Sequence, residues 1–294
     1  MATFRAPAAQ AAHVMKSLQG HHLRSVGTVR NYEQGLTRVA EWTQQERLPG
    51  GLRAMTPELA IRYLEQRGQA VGQKTLDMER QSMQAMMIYV TGKLAPSERL
   101  PVTKSELTQT LEGRAYTPQQ AELIASAQAP HNALATEIAH AAGLRAHELL
   151  TLRPVDERAA DPRPTLDSKW AGRDGVIYTV QGKGGLVREV MIPRELAARL
   201  EERRLDTPQA VTDRGVFYQS QYDIGGGQRW SNSVSAASDR TMGRSTGAHG
   251  LRHSYAQERM TELQNRGLLR EVALETVSQE MGHFRPEITE AYLR

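Results

Sequence analysis

From residue 12 to residue 93, apolar side chains recur at three- and four-residue spacing almost without a break. That one pattern confines the first third of this chain to packed helices. Residues 25–47 place Val26, Val29, Tyr32, Leu36, Val39, Ala40 and Trp42 on it. Leu48-Pro49-Gly50-Gly51 then stops the helix. Thr56 followed by Pro57 opens the next, as N-cap and first helical residue. Residues 73–91 form a third, apolar at Leu76, Met83, Met86, Met87 and Val90, and its methionines read as core filler at that spacing. Ahead of the helices, residues 1–11 are Ala/Pro-rich and read as a loose tail. Behind them, residues 94–116 hold two prolines and few apolar positions, which reads as an interdomain linker.

The remaining stretch, residues 117–294, is predicted as a second domain, and 294 residues is about two domains' worth of chain. Thr117-Pro118 repeats the cap signal, and residues 131–152 read as a helix broken at Gly143. Two β-type runs, 175–182 and 186–192, are joined by Lys183-Gly184-Gly185 in the manner of a hairpin. Beyond Pro193 helix is expected throughout, apart from a Gly-rich loop at 225–227. The predicted fold class is mainly α: an all-helical N-terminal domain, then a mostly α domain carrying a small antiparallel β-sheet.

Composition removes several functions. The chain has no cysteine, which excludes disulfide scaffolds, thiolate metal sites and thiol nucleophiles. Its longest apolar stretch, 83–90, is interrupted by Gln84 and falls far short of the ~20 residues that span a bilayer. No secretory h-region opens the chain, so a cytoplasmic protein is expected. Lys and Arg total 37 against 33 acidic residues, a net charge of +4. Residues 1–112 carry 14 basic and 10 acidic residues, whereas 113–294 carry 23 of each, so the excess lies wholly in the first part. Arg outnumbers Lys 31 to 6, and guanidinium forks suit phosphate, although genomic composition produces the same bias. This balance permits nucleic-acid binding without establishing it.

Four segments of the second domain carry candidate chemistry. In Gly143-Leu144-Arg145-Ala146-His147-Glu148, Arg145 and Glu148 stand three apart, so that Glu148 can orient Arg145 on a shared helical face. Lys183 stands at the glycine-rich hairpin tip, without the spacing of a nucleotide phosphate loop. In His249-Gly250-Leu251-Arg252-His253, His249 and Arg252 can reach one anionic group. His249 and His253 have the spacing of a zinc helix, but Gly250 stands where the metalloprotease glutamate belongs. The fourth segment runs Met281-Gly282-His283 and continues through Thr289 to Tyr292.

Taken in order, these segments resemble the tyrosine recombinase (phage integrase) family. Gly-Leu-Arg-x-x-Glu-Leu-Leu-x-Leu at 143–152 is similar to its first arginine box. Gly-Lys-Gly-Gly-x-x-Arg-x-Val-x-Ile-Pro at 182–193 is similar to its lysine hairpin. His-x-Leu-Arg-His-Ser-Tyr-Ala at 249–256 resembles its second box, and 281–292 its histidine-to-tyrosine segment. The likeness covers about 115–294; residues 12–93 fit a core DNA-binding domain by pattern only. Met281 replaces the commoner leucine, residues 157–174 are longer than in compact relatives, and only Leu293 and Arg294 follow Tyr292. That leaves no C-terminal docking helix in this sequence, so either the chain is truncated or assembly uses other surfaces; an additional arm-site-binding domain is likewise not expected.

The resemblance implies DNA strand exchange through a 3′-phosphotyrosyl intermediate, with no metal, ATP or other cofactor. Tyr292 would be the nucleophile, Arg145 and Arg252 would bind the phosphate, and His283 would add a donor. His249 would accept the tyrosine proton, Lys183 would protonate the leaving 5′ oxygen, and Glu148 would hold Arg145 and His249 in place. The partners implied are double-stranded DNA at recombination sites, further copies of the chain in a tetramer on DNA, and an accessory directionality factor. The setting implied is the bacterial cytoplasm, host- or phage-encoded, at the nucleoid. Relaxation of the topoisomerase IB type and non-catalytic DNA binding on the same scaffold are the alternatives.

Overall fold

The cap signals and the apolar periodicity build the helices of a computed structural model that describes residues 5–23, 26–108, 112–182 and 184–294. The chain divides into two compact units, Met1–Thr110 and Leu111–Arg294. In the first, helices α1 (Pro7–Leu18), α2 (Val26–Gln45), α3 (Pro57–Gly68) and α4 (Gln73–Met86) pack together, and a wider π-type turn, Met87–Thr91, extends the last. The Thr56 hydroxyl accepts the Leu59 N–H at 3.4 Å, and Pro57 begins α3. Leu36, Val39, Leu64, Met83, Met86 and Met87 are fully buried, each such apolar side chain contributing about 1.5–3 kcal/mol. So is Glu79, which accepts from Tyr63 Oη at 2.8 Å and from Arg67 Nε at 3.1 Å.

Two expectations are corrected here. Residues 7–11 do not belong to a loose tail: Pro7 starts α1, and Ala11 is fully buried against the other helices. Of the expected 94–116 linker, residues 94–105 are laid down on the first unit. Leu94 and Leu100 join the first core, Gln73 bonds both Thr103 O and Ser105 N, and Ser105 Oγ donates to Val71 O at 2.7 Å. At its other end Tyr116 is buried in the second unit, its N–H on Ser254 Oγ at 2.8 Å.

The second unit begins with α5 (Pro118–Ser126), closed by a reciprocal capping box between Thr117 and Gln120, and α6 (Pro130–Ala142). Gly143 ends α6 at φ 60°, and a Cβ there would lie 2.6 Å from the Tyr255 ring, so both conformation and packing demand glycine. The helix expected to resume as far as Leu152 does not. A turn is followed by a single 3-10 turn, Glu148–Thr151. Strands β1 (Arg153–Pro154), β2 (Val176–Gln181) and β3 (Val187–Ile192) form an antiparallel sheet in that order, with Val180 opposite Arg188.

After α7 (Arg194–Glu201) the all-helical expectation fails again. Strands β4 (Arg204–Asp213) and β5 (Val216–Tyr222) form a two-stranded ribbon. Its turn is Arg214-Gly215, both at positive φ, as a type I′ hairpin turn requires. Helices α8 (Gly227–Met242), α9 (His249–Asn265), α10 (Arg270–Met281) and α11 (Pro286–Thr289) complete the unit, with a 3-10 turn at Glu290–Tyr292. The main core gathers Leu134, Ile138, Val180, Val190, Ile192, Trp230, Val234 and Leu251. A smaller one joins α9 to α10 through Tyr255, Leu263, Val277 and Met281, with Tyr292 and Leu293 packed on it. The mainly α class with small antiparallel sheets therefore holds. No helix among the described residues is long and apolar enough to cross a membrane.

Candidate active site

Three of the four motif segments converge through side-chain contacts, and the fourth joins them through β3. Gly143 frees its carbonyl by ending α6, and Arg252 Nη1, on the first turn of α9, donates to it. Arg252 is fully buried. Its Nη2 donates to Met281 O at 2.5 Å and to His283 Nε2 at 3.1 Å. Arginine can only donate, so His283 Nε2 is the acceptor. The neutral ring then carries its proton on Nδ1, aimed at Thr289 Oγ1 2.9 Å away. His283, expected as a further donor, is in this state an acceptor that orients Arg252.

Tyr292 lies over this arginine, its ring 5.6 Å from the Arg252 guanidinium carbon. Three imidazoles surround it: His253 at 4.7 Å between ring centroids, His283 at 5.0 Å and His249 at 5.3 Å. Gln257 Nε2, on the next turn of α9, donates to Tyr292 O at 3.1 Å and fixes the segment.

Glu148 underlies the opposite side, fully buried. Its Oε1 accepts Arg145 Nη1 at 2.8 Å, and its Oε2 accepts the Arg145 N–H at 2.8 Å and Arg188 Nη2 at 2.9 Å. Arg145 and Glu148 thus pair across a turn, not along the helix face expected. Arg145 keeps a quarter of its side chain exposed. Lys183 lies outside the described residues, between the ends of β2 and β3.

Charge is unevenly matched here. Arg145, Arg188 and Arg252 surround a single carboxylate. Burial would raise the Glu148 carboxyl, but the charges of Arg188, Arg252 and Arg145 outweigh it and hold the group well below the usual carboxylate range. Burial and the neighbouring Arg145 push Arg252 down to about 10, so it stays charged at neutral pH. Burial, then Arg252 and Arg145, push His283 down to about 3. Desolvation, then Arg252 and His253, push His249 down to about 4, although the residue as a whole is exposed. At neutral pH the site therefore offers uncompensated guanidiniums, a phenol and neutral imidazoles able to accept a proton.

Several participants carried no role in the sequence reading. Arg188 and His253 stood inside the quoted motifs as unassigned letters. His253, buried with an unpartnered Nδ1, makes the tightest ring contact to Tyr292. Behind the site, Glu280 is held by Arg259 at 3.0 Å and by Tyr255 Oη at 2.8 Å, all three fully buried or nearly so. Only the arginine and glutamate letters of α9 and α10 hinted at that pair.

No protein-family model and no curated sequence matches this chain. Solved structures do. A XerH site-specific recombinase, bound to palindromic difH substrate in a post-cleavage complex, superposes with a TM-score of 0.61 at 17% identity, over 98% of this chain and 81% of that one. A lambda integrase tetramer bound to a Holliday junction gives 0.59 at 14% identity, over 97% and 76%. The Tn1549 transposon integrase in complex with transposon right-end DNA gives 0.57 at 14% identity, over 99% and 95%. The chain has the fold of the tyrosine recombinases.

Proposed function

We propose that this chain is a site-specific DNA recombinase or integrase that cuts and rejoins strands through a 3′-phosphotyrosyl intermediate. The observation that carries the reading is the seating of Tyr292 over Arg252 among three histidines, because it gathers a nucleophile, an oxyanion partner and proton acceptors from segments 40 residues apart in sequence. Arg145 and Arg252 would fork onto the non-bridging oxygens of a phosphodiester, whose added charge in the pentacoordinate transition state matches the local guanidinium excess. Tyr292 Oη would attack phosphorus, pass its proton to neutral His249, and displace the 5′ oxygen, which Lys183 would protonate. His283 would steady Arg252 and Glu148 would steady Arg145. A free 5′-hydroxyl from a second strand then reverses the step, so bond energy is kept in the phosphotyrosine and neither ATP nor metal is required.

The fold neighbours whose structures hold DNA support double-stranded DNA as the partner here, and the lambda integrase tetramer supports assembly of several copies on it. The first unit, which carries the basic excess, would contribute to DNA binding with a steep salt dependence. An accessory directionality factor and a bacterial, nucleoid-associated setting belong to the same reading.

The test begins with selection from a random duplex pool of the sequence bound by the full chain. That sequence is then built into a duplex nicked so that cleavage cannot reverse. A denaturing gel should show a protein–DNA adduct that maps to Tyr292 and is lost in Tyr292→Phe, which should still bind. No adduct from the wild-type chain on its selected sequence, or one mapping elsewhere, overturns the reading.

A further inference from the structure

We propose that Arg188 is a positioning residue for this chemistry: it locks the β2–β3 hairpin to Glu148 and, through Glu148, holds Arg145 toward the phosphate. The inference rests on the recombinase reading for what Arg145 does, but its geometry stands alone.

Arg188 sits on β3 with 4% of its surface exposed, an unusual place for a guanidinium. Two contacts explain it. Nη2 reaches Glu148 Oε2 at 2.9 Å, and Nη1 reaches the Glu280 carbonyl at 2.7 Å, one residue before the α10 terminus that leads to His283. Its Nε is buried without a partner, so the side chain is held through its terminal nitrogens alone. The stem is clamped too. Gly282 ends α10 at φ 71°, and a Cβ there would lie 2.4 Å from Arg188 Cδ, so that position has room for glycine only.

Glu148 is shared between two arginines. One oxygen serves the Arg145 side chain, and the other is divided between the Arg145 backbone and Arg188. The charged groups facing it are Arg145 from the turn after α6, Arg188 from β3 and Arg252 from α9, with His147 before the 3-10 turn and His283 after α10. Among them Arg188 is the nearly solvent-free one that contacts the carboxylate directly. Without it, a fully buried carboxylate would keep Arg145, which is partly in water, and the more distant Arg252. Its charged form would be weakened, and a protonated Glu148 no longer grips Arg145. Since β3 also bounds the turn holding Lys183, one side chain would register the hairpin, the first arginine box and the His283 segment against each other.

The test uses the full chain and the nicked duplex described above, with single-turnover adduct formation followed from pH 5.5 to 8.5 at saturating protein. Arg188→Met should slow cleavage by about 10²-fold at pH 6, comparable to losing one phosphate-directed donor. At least tenfold should return by pH 8.5, with DNA binding unchanged, because Glu148 ionises again. Arg188→Lys, which keeps the charge, should follow the wild-type pH profile. In a Glu148→Gln background, Arg188→Met should add less than about twofold, since both act through one carboxylate. A pH-independent defect, or a full multiplicative effect in that background, overturns the inference.

A second measurement needs no cleavage. The Glu148 side-chain carbon, followed by NMR, should titrate at higher pH in Arg188→Met than in the wild type and at unchanged pH in Arg188→Lys. Unchanged titration in the methionine variant overturns the inference whatever the chain does to DNA, whereas absence of a wild-type adduct overturns only the recombinase reading.

Discussion

Glu148 and Glu280 are both fully buried in the second unit, and both are bound by arginine, yet they are built for different ends. Glu280 is closed on all sides. It takes Arg259 Nη2 and Nε, the Tyr255 hydroxyl and the Trp170 N–H, and Arg259 itself has no exposure and turns its remaining nitrogen to Ala171 O and Glu262. Glu148 is open on one side, because one of its two arginines, Arg145, keeps a quarter of its side chain in water. The first pair is satisfied entirely within the protein and can only specify packing between α9, α10 and the loop before β2. The second presents a fixed positive charge outward. Burial of an ion pair thus says little about function. What separates the two is whether a guanidinium has been left something to do.

That contrast predicts opposite failures. Glu280→Gln removes one of the two carboxylates on a fully buried Arg259, leaving only the half-exposed Glu262 on its Nη1, and breaking a buried pair in this way typically destabilises by about 3–5 kcal/mol. Thermal or urea unfolding should show a loss of that size. A variant as stable as the wild type would mean that Glu280 is not the closed element described. Arg145→Ala should do the reverse, leaving stability changed little while slowing adduct formation by about 10²–10³-fold, as expected for one lost oxyanion partner. Strong destabilisation with unimpaired cleavage would make the open pair merely structural.

Much of the scaffold was legible in the sequence because local rules governed it. Thr56-Pro57 and Thr117-Pro118 cap helices through their own side chains, and Met83, Met86 and Met87 follow the helical period into a core. The misreadings have non-local causes. A continuing helix through 143–152 would consume the Gly143 carbonyl, which instead receives Arg252 from 109 residues away. Strand β4 shows no alternation because most of its residues face water on both sides of the ribbon, leaving Arg214-Gly215 as its only signal. Arg188 could be quoted as a motif letter, but its meeting with Glu148 spans 40 residues and leaves no local trace. The motif letters could be read as a set, whereas the side chains packed against them could not.

Gly143 connects the two halves of the comparison, since its carbonyl holds Arg252 and its Cα faces the Tyr255 ring that belongs to the closed pair. Gly143→Ala would place a methyl 2.6 Å from that ring at φ 60°. The left-handed backbone alone costs an L-residue about 1–2 kcal/mol. Unfolding should show at least that loss, accompanied by slower adduct formation as Arg252 shifts. A loss confined to cleavage would separate the halves that this glycine is argued to join.

The smallest expected effect concerns acid. His283 is pushed down to about 3 in the folded chain, by burial and then by Arg252, Arg145 and Arg188, against an ordinary 6.5. The unfolded chain therefore binds this proton first, and stability contributed by the neutral ring is intact above about pH 6.5 and declines as pH falls toward 3. At pH 5.5 the linkage amounts to at most about 1.4 kcal/mol, lowered further by the partial solvent access of the ring. His283→Asn should flatten the fall in unfolding free energy between pH 6.5 and 5. If the variant loses stability with acid as steeply as the wild type, the open side of the site is not where the folded chain feels the first protons, and the division between open and closed networks would have to be drawn elsewhere.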